Sequence, residues 1–223
     1  MSCECLFIKQ EYAFRNYWQI RCICLNFASN AFNQNKKLEM SKKISIRIGI
    51  LALMIFAAAL SRLLPHPYNF TPIGAMGLFG AAYFSKRWLA FAVPFVAMWV
   101  SDLILSNVVY AQYYEGFQWF GHFWVYVSFT LIVLLGFGLL RKVKAANLLI
   151  SSILASMIFF LVTNLGVWLG SPMYPQNIVG LTACYAAGIP FFWNTLLGDL
   201  FYCGVLFGAF EFVKMRYPAL KIA

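Results

Sequence analysis

The stretch RKVKAANLLISSILASMIFFLVTNLGVWL, residues 141–169, decides the fold. A basic cluster, Arg141, Lys142 and Lys144, stands directly before a run from Ala145 to Leu169 that carries no charge. A helix needs about 20 apolar residues to cross about 30 Å of hydrocarbon. The run is long enough, and its basic end belongs on the cytoplasmic side.

Outward from this run the same pattern repeats. Lys42, Lys43 and Arg47 precede the first apolar segment, Lys86 and Arg87 follow the second, and Lys214, Arg216 and Lys221 follow the last. The other gaps hold one basic residue, Arg62. This alternation predicts an all-α, multi-pass protein with both termini in the cytoplasm. Six spans are expected, near Ile44–Leu64, Pro72–Phe84, Trp88–Ser106, His122–Leu140, Ala145–Leu169 and Pro190–Phe212.

Composition agrees. Of 223 residues, 62% are apolar and 11% charged, whereas soluble domains carry about 25% charged residues. Such a chain cannot cover its own surface in water, so lipid is the expected solvent and a bacterial inner membrane the expected location. The formal charge of +10 does not point to nucleic acid, because the basic residues of the spanning part are scattered over short turns. Anionic headgroups account for them. Cys3-x-Cys5 and Cys22-x-Cys24 fit poorly to structural zinc spacing, C-x₂₋₄-C, so no metal site is expected there.

Residues 1–39 are mixed polar and aromatic with no clean period, and Met40-Ser41-Lys42-Lys43 then opens directly onto an apolar run. The expectation is that residues 1–39 are a disordered tail or an upstream mis-assigned start, and that residues 40–223 form the six-helix domain.

The second span is short, about 20 Å as a helix. It is rich in small residues, with Gly77-x-x-x-Ala81 as a close-packing pair. It is expected to lie inside the bundle or to enter as a broken helix, a feature of transporter binding sites. Ala57, Ala58 and Ala59 form a second small-residue surface, suited to a neighbouring helix of this chain or of a partner.

Polar side chains inside spans are costly and usually face a cavity or a partner. Arg62, Asp102, Asn164, Asn194 and Asp199 all fall in the outer half of the expected membrane, on four spans. Asp199 is deepest, about 14 Å in. A polar cavity open to the outside is one reading, with Asn164 and Trp168 sharing a face at i, i+4 as its lining. Structural pairing, with Arg62 neutralising Asp102 and the amides joining helices, is another. A proton relay through Asp102 and Asp199 is a third. The outer segments around Asn69, at 107–121 and at 170–190, are aromatic and long enough to act as lids. No phosphate-binding loop, H-E-x-x-H or G-x-S-x-G occurs, so neither an enzyme nor a cofactor is expected. His66 and His122 lie on different spans without clustered acids.

Several segments together resemble a known group. They are Asn69-Phe70-Thr71-Pro72 before a Gly/Ala-rich short helix, Ser101-Asp102-Leu103, the run Val162–Trp168, Cys184-Tyr185 and the run Ile189–Asp199. These look like an uncharacterised bacterial family of six-helix transport proteins. That family is similar to the S components of energy-coupling-factor (ECF) transporters. The resemblance covers roughly Met40 to Tyr217. It implies a substrate-binding subunit that captures a vitamin, a metal ion or another small solute under loop lids. A transmembrane coupling subunit and two ATPases would then drive uptake. Arg62, Asn69, Asp102, Asn164, Asn194 and Asp199 are the residues expected to orient the solute, and Trp168, Phe192 and Trp193 those expected to pack on it. Ala57, Ala58 and Ala59 would dock on the coupling subunit. A proton-coupled secondary transporter and a structural subunit of a membrane complex are the alternatives.

Overall fold

In the computed structural model, residues 33–217 and 220 are described. The chain divides into two compact units, Met1–Arg47 with Ile222–Ala223, and Ile48–Lys221. Among the described residues there are six α-helices and no strand. Helix α1 covers residues 33–60; its part from Ile48 onward lies in the second unit, with all the other helices. These are α2 (Ile73–Tyr83), α3 (Arg87–Ile104), α4 (Phe123–Leu139), α5 (Ala145–Gly170) and α6 (Ile178–Arg216). The expectation of a disordered tail or upstream start falls largely on residues 1–32, outside the described set; residues 33–39 are helical.

Helix α2 is the centre. Nine of its 11 residues are buried, and it packs against α3, α4, α5 and α6. Its small residues make this geometry. A Cβ added at Gly77 would lie 3.1 Å from the Phe129 ring of α4, and one at Gly136 of α4 would lie 2.7 Å from the Cβ of Ala81. Gly77 and Ala81 are thus the α2–α4 seam, where two helix backbones approach closely. An 11-residue helix surrounded on four sides is held by its neighbours rather than by its own length.

Four segments are long and apolar enough to cross a membrane: Asn33–Leu63, Arg87–Val109, Ala145–Gly170 and Ile178–Arg216. The surface of the third of these is inverted relative to a protein in water. On α5, Ser151, Ser152 and Ser156 are fully buried while Ile150 is 52% and Leu161 49% exposed. In water the large apolar side chains would turn inward and the serines outward.

Three features differ from the sequence reading. Helix α6 begins at Ile178, not near Pro190. Its start is set by Asn177, whose side chain accepts a hydrogen bond from the Gly180 N–H at 2.8 Å, an ordinary N-cap. Pro190 is carried inside the helix, so Cys184 is a buried helical residue rather than part of a loop. Helix α3 does not stop cleanly; it runs on into a π turn, Leu105–Val109. Ala58 and Ala59 are buried in the core and only Ala57 is exposed. The three alanines therefore do not form one outward docking surface; two of them pack within this chain.

Candidate functional site

Two adjoining cavities, of about 570 and 710 Å³, open at the end of the helices remote from Lys86–Arg87, Arg141–Lys144 and Lys214–Arg216. Both are within the size range of small-molecule sites. They share four lining residues: Asn69, His122, Val125 and Phe159.

The smaller chamber mixes charged, polar and aromatic side chains. Its floor is the Arg62–Asp102 pair. Arg62 stands on the one-turn 3₁₀ helix Ser61–Leu63 that ends α1. Its Nη1 lies 2.7 Å from Asp102 Oδ1 and donates to Ser101 Oγ at 2.5 Å. The Tyr126 hydroxyl donates to Asp102 Oδ2 at 2.7 Å. Both carboxylate oxygens are therefore engaged. Arg62 is only half engaged: Nη1 makes both contacts, and Nε is buried without a hydrogen-bond partner. A buried donor left unpaired costs about 1–3 kcal/mol.

The π turn shapes the opposite wall. Tyr110 N–H donates to Leu105 C=O at 2.7 Å, five residues back. The Asn107 side chain donates to Leu103 C=O at 2.9 Å and Gln118 C=O at 2.8 Å, and accepts from Gln118 N–H at 2.7 Å. These bonds bring Ser106, Tyr110, Tyr114 and Gln118 around the chamber. Single π turns of this kind often occur at functional sites.

The larger chamber is aromatic. Phe159 and Phe160 on α5, Phe191 and Phe192 on α6 and Trp124 on α4 line it, with Asn164 and Thr163 as polar points. The Phe160 and Phe192 rings lie 5.3 Å apart, edge to face, a favoured aromatic geometry.

Between the chambers stands Asn69, with φ of 63°. Phe70 N–H donates to Pro67 C=O at 3.0 Å, closing a turn in which Asn69 takes the third place. Asn tolerates this left-handed region better than other non-glycine residues. The turn is pinned twice. Asn194 Nδ2 donates to Tyr68 C=O at 2.9 Å, and the Phe70 ring lies 5.8 Å from both Phe201 and Tyr202. A costly backbone conformation held by its surroundings, at the boundary of two cavities, is a pattern seen at binding sites.

The sequence-predicted residues thus separate into two groups. Arg62, Asn69 and Asp102 meet at the smaller chamber, and Asn69, Asn164 and Phe192 line the larger one. The other four lie elsewhere. Trp193 is 58% exposed and points away. Trp168 donates through Nε1 to Pro175 C=O at 3.0 Å, and its own carbonyl accepts from the Gln176 side chain, so it fastens the 171–177 turn. Asn194 positions the Asn69 turn instead of facing the cavity.

Asp199 is the largest correction. It is 1% exposed and lines neither chamber. Its carboxylate accepts from Ser156 Oγ at 2.7 Å and from the backbone N–H groups of Gly74 and Ala75. Those are the second and third residues of α2, whose own preceding residue, Pro72, offers no side-chain cap. Asp199 is an N-cap supplied by another helix, with its carboxyl oxygens at the positive end of the α2 dipole. A Cβ at Gly74 would collide with that carboxylate.

Sequence reasoning missed His122, which faces both chambers, and Phe160. The i, i+4 rule correctly put an aromatic beside Asn164 but chose the wrong direction along α5. Helical side chains lean toward the N-terminus, which favours Phe160 over Trp168. Among the described residues, no group of three or more His, Cys, Asp or Glu side chains gathers where it could hold a metal ion.

The chain belongs to a family of unknown function, DUF6580, which it matches over residues 42–220. No curated protein and no solved structure matches the chain.

Proposed function

We propose that this chain is a six-span bacterial inner-membrane protein with both termini in the cytoplasm. In this reading its outer half captures a small solute, as an S-component-like subunit of an ATP-driven uptake system. The observation that carries the reading is the pair of adjoining chambers joined at Asn69 and His122. They lie at the helix ends farthest from the basic clusters, which is the outer side if those clusters face the cytoplasm.

The inverted surface of α5 supports a lipid environment, because apolar side chains exposed at this density are at ease only in hydrocarbon. Helices α2 and α4, of 11 and 17 residues, complete the six in this reading as a buried short helix and a short span. A relay through Asp102 and Asp199 gains less support, since the Asp199 oxygens are turned onto Ser156, Gly74 and Ala75.

Native mass spectrometry of the gently solubilised full chain tests the proposal. A retained small molecule, displaced when Phe192 is replaced by Ala, is the expected result. Co-purification of a coupling subunit with ATPases would place the solute in ATP-driven uptake. A protein free of small molecules that supports pH-gradient-driven flux in vesicles without any ATPase would overturn it.

A further inference from the structure

We infer that the solute is an uncharged molecule with a flat ring. It lies in the larger chamber and donates hydrogen bonds from the edge of its ring to Thr163, Asn164 and Thr195. This inference rests on the solute-binding reading and names the class of molecule that the site takes.

Charge sets the first limit. Among the described residues, no Asp, Glu, Lys or Arg lines the larger chamber. The smaller one holds Arg62 and Asp102, but these two neutralise each other at 2.7 Å. A solute with a net charge would leave water and meet no opposite charge, and an ion buried without a partner is strongly disfavoured. A metal ion, a carboxylate, a phosphate or an ammonium group therefore has no counterpart here. An uncharged molecule gives up only hydrogen bonds that it can make again.

The walls set the shape. Aromatic side chains line both chambers, so they call for a flat ring without choosing between the two. In the larger chamber the Phe160 ring meets Phe192 at 5.3 Å and Tyr185 at 5.6 Å, both edge to face. Rings held in this way form stiff walls on which another ring packs by offset or edge-on contact.

Hydrogen-bond direction selects the larger chamber. Thr163 Oγ1 donates to Phe159 C=O at 2.7 Å, and Thr195 Oγ1 donates to Phe191 C=O at 3.1 Å. Each hydroxyl has one proton, so both threonines now offer acceptor oxygens only. Asn164 Nδ2 donates to Phe160 C=O at 2.8 Å. A carbonyl only accepts, which fixes the other end of that amide as Oδ1. Among the described residues Oδ1 has no hydrogen-bond partner. Gly188 leaves it room, since a Cβ there would lie 2.5 Å from Oδ1. All three residues line the larger chamber. A group of acceptors is matched by a molecule that brings the donors, and an uncharged ring does so with an N–H or O–H on its edge.

The test is native mass spectrometry of the full chain, purified in lipid nanodiscs from the membranes of the organism that makes it. Asn164→Leu is measured in parallel; leucine keeps the shape of the amide and removes its acceptor. The released molecule is identified by accurate mass, fragmentation and ultraviolet absorption. The expected result is a conjugated ring compound with at least one N–H or O–H on the ring and no group charged at neutral pH. Its occupancy falls about tenfold in Asn164→Leu, while the unfolding midpoint stays close to that of the wild type. A released molecule with a carboxylate, phosphate or ammonium group, one without a ring, or one held equally well by Asn164→Leu overturns the inference and leaves the solute-binding reading standing. A wild-type chain that retains no small molecule, or only lipid, overturns both. If Asn164→Leu folds poorly, Thr163→Val takes its place, and the chemistry of the wild-type ligand decides in either case.

Discussion

Asp102 and Asp199 are both carboxylates on apolar helices, and both are nearly inaccessible to solvent. Their surroundings differ. Asp199 is met on all sides by groups of its own chain: a serine hydroxyl and two backbone N–H groups at a helix start. Asp102 is also fully engaged, but its partner is not. Arg62 lines a cavity, and its Nε is buried without a hydrogen-bond partner. An ionisable residue within a span is therefore not a binding residue by position alone. What separates scaffold from site is where the hydrogen bonds end. At Asp199 the network closes on itself and holds α2 in place. At Asp102 it ends on Arg62, a residue that lines a cavity.

The comparison breaks most sharply at Asp199. Replacing it by Ala leaves the Gly74 and Ala75 amides without their acceptor and the Ser156 hydroxyl with only the Ser152 carbonyl. A loss of about 3–5 kcal/mol is expected, from several unsatisfied buried groups together. Denaturant unfolding in detergent, followed by tryptophan fluorescence, measures it. If solute affinity of the folded fraction also collapsed while stability held, the division between scaffold and site would be wrong. Gly74→Ala attacks the same contact from the other side, because its Cβ occupies the carboxylate's space. Roughly 1–3 kcal/mol of stability should be lost. Gly138→Ala on α4, where nothing lies within 4 Å of the added Cβ, is the matched control and should change stability by less than about 0.5 kcal/mol.

The site side of the comparison is probed by affinity. Phe192→Ala removes an aromatic wall of the larger chamber and should weaken solute binding about tenfold, or about 1.4 kcal/mol. Its neighbour Trp193 faces outward, so Trp193→Ala should leave affinity within about 0.5 kcal/mol of wild type. Equal effects from the two substitutions would show that the lining has been assigned to the wrong face of α6.

Much of the scaffold was readable in the chain. The second and fifth expected spans, Pro72–Phe84 and Ala145–Leu169, fall within a residue or so of Ile73–Tyr83 and Ala145–Gly170. Charge and apolar length mark such boundaries directly, and the small residues of α2 announced its place among neighbours. The start of α6 was legible too, in Asn177 before Ile178, but Pro190 looked like a first turn and hid it. The site was read only in part. Arg62, Asp102 and Asn164 were found because charged and amide residues within spans are few. The role of Asp199 was not readable, since a carboxylate that caps a helix more than a hundred residues away carries no local signature. The π turn after α3, which builds the wall with Tyr110 and Tyr114, depends on a hydrogen-bond register that sequence does not reveal. His122 was passed over because it was weighed as a metal ligand, and its position between two cavities appears only when α1, α4 and α5 are brought together.

The most direct measurement is an experimental structure of the full chain in nanodiscs with its co-purified solute. Ligand density is expected within the two chambers, past Asn69 and His122 to the Phe160–Phe192 pair, with Asp199 still turned onto Gly74 and Ala75. Density centred on Asp199, or a solute bound away from both chambers, would contradict it.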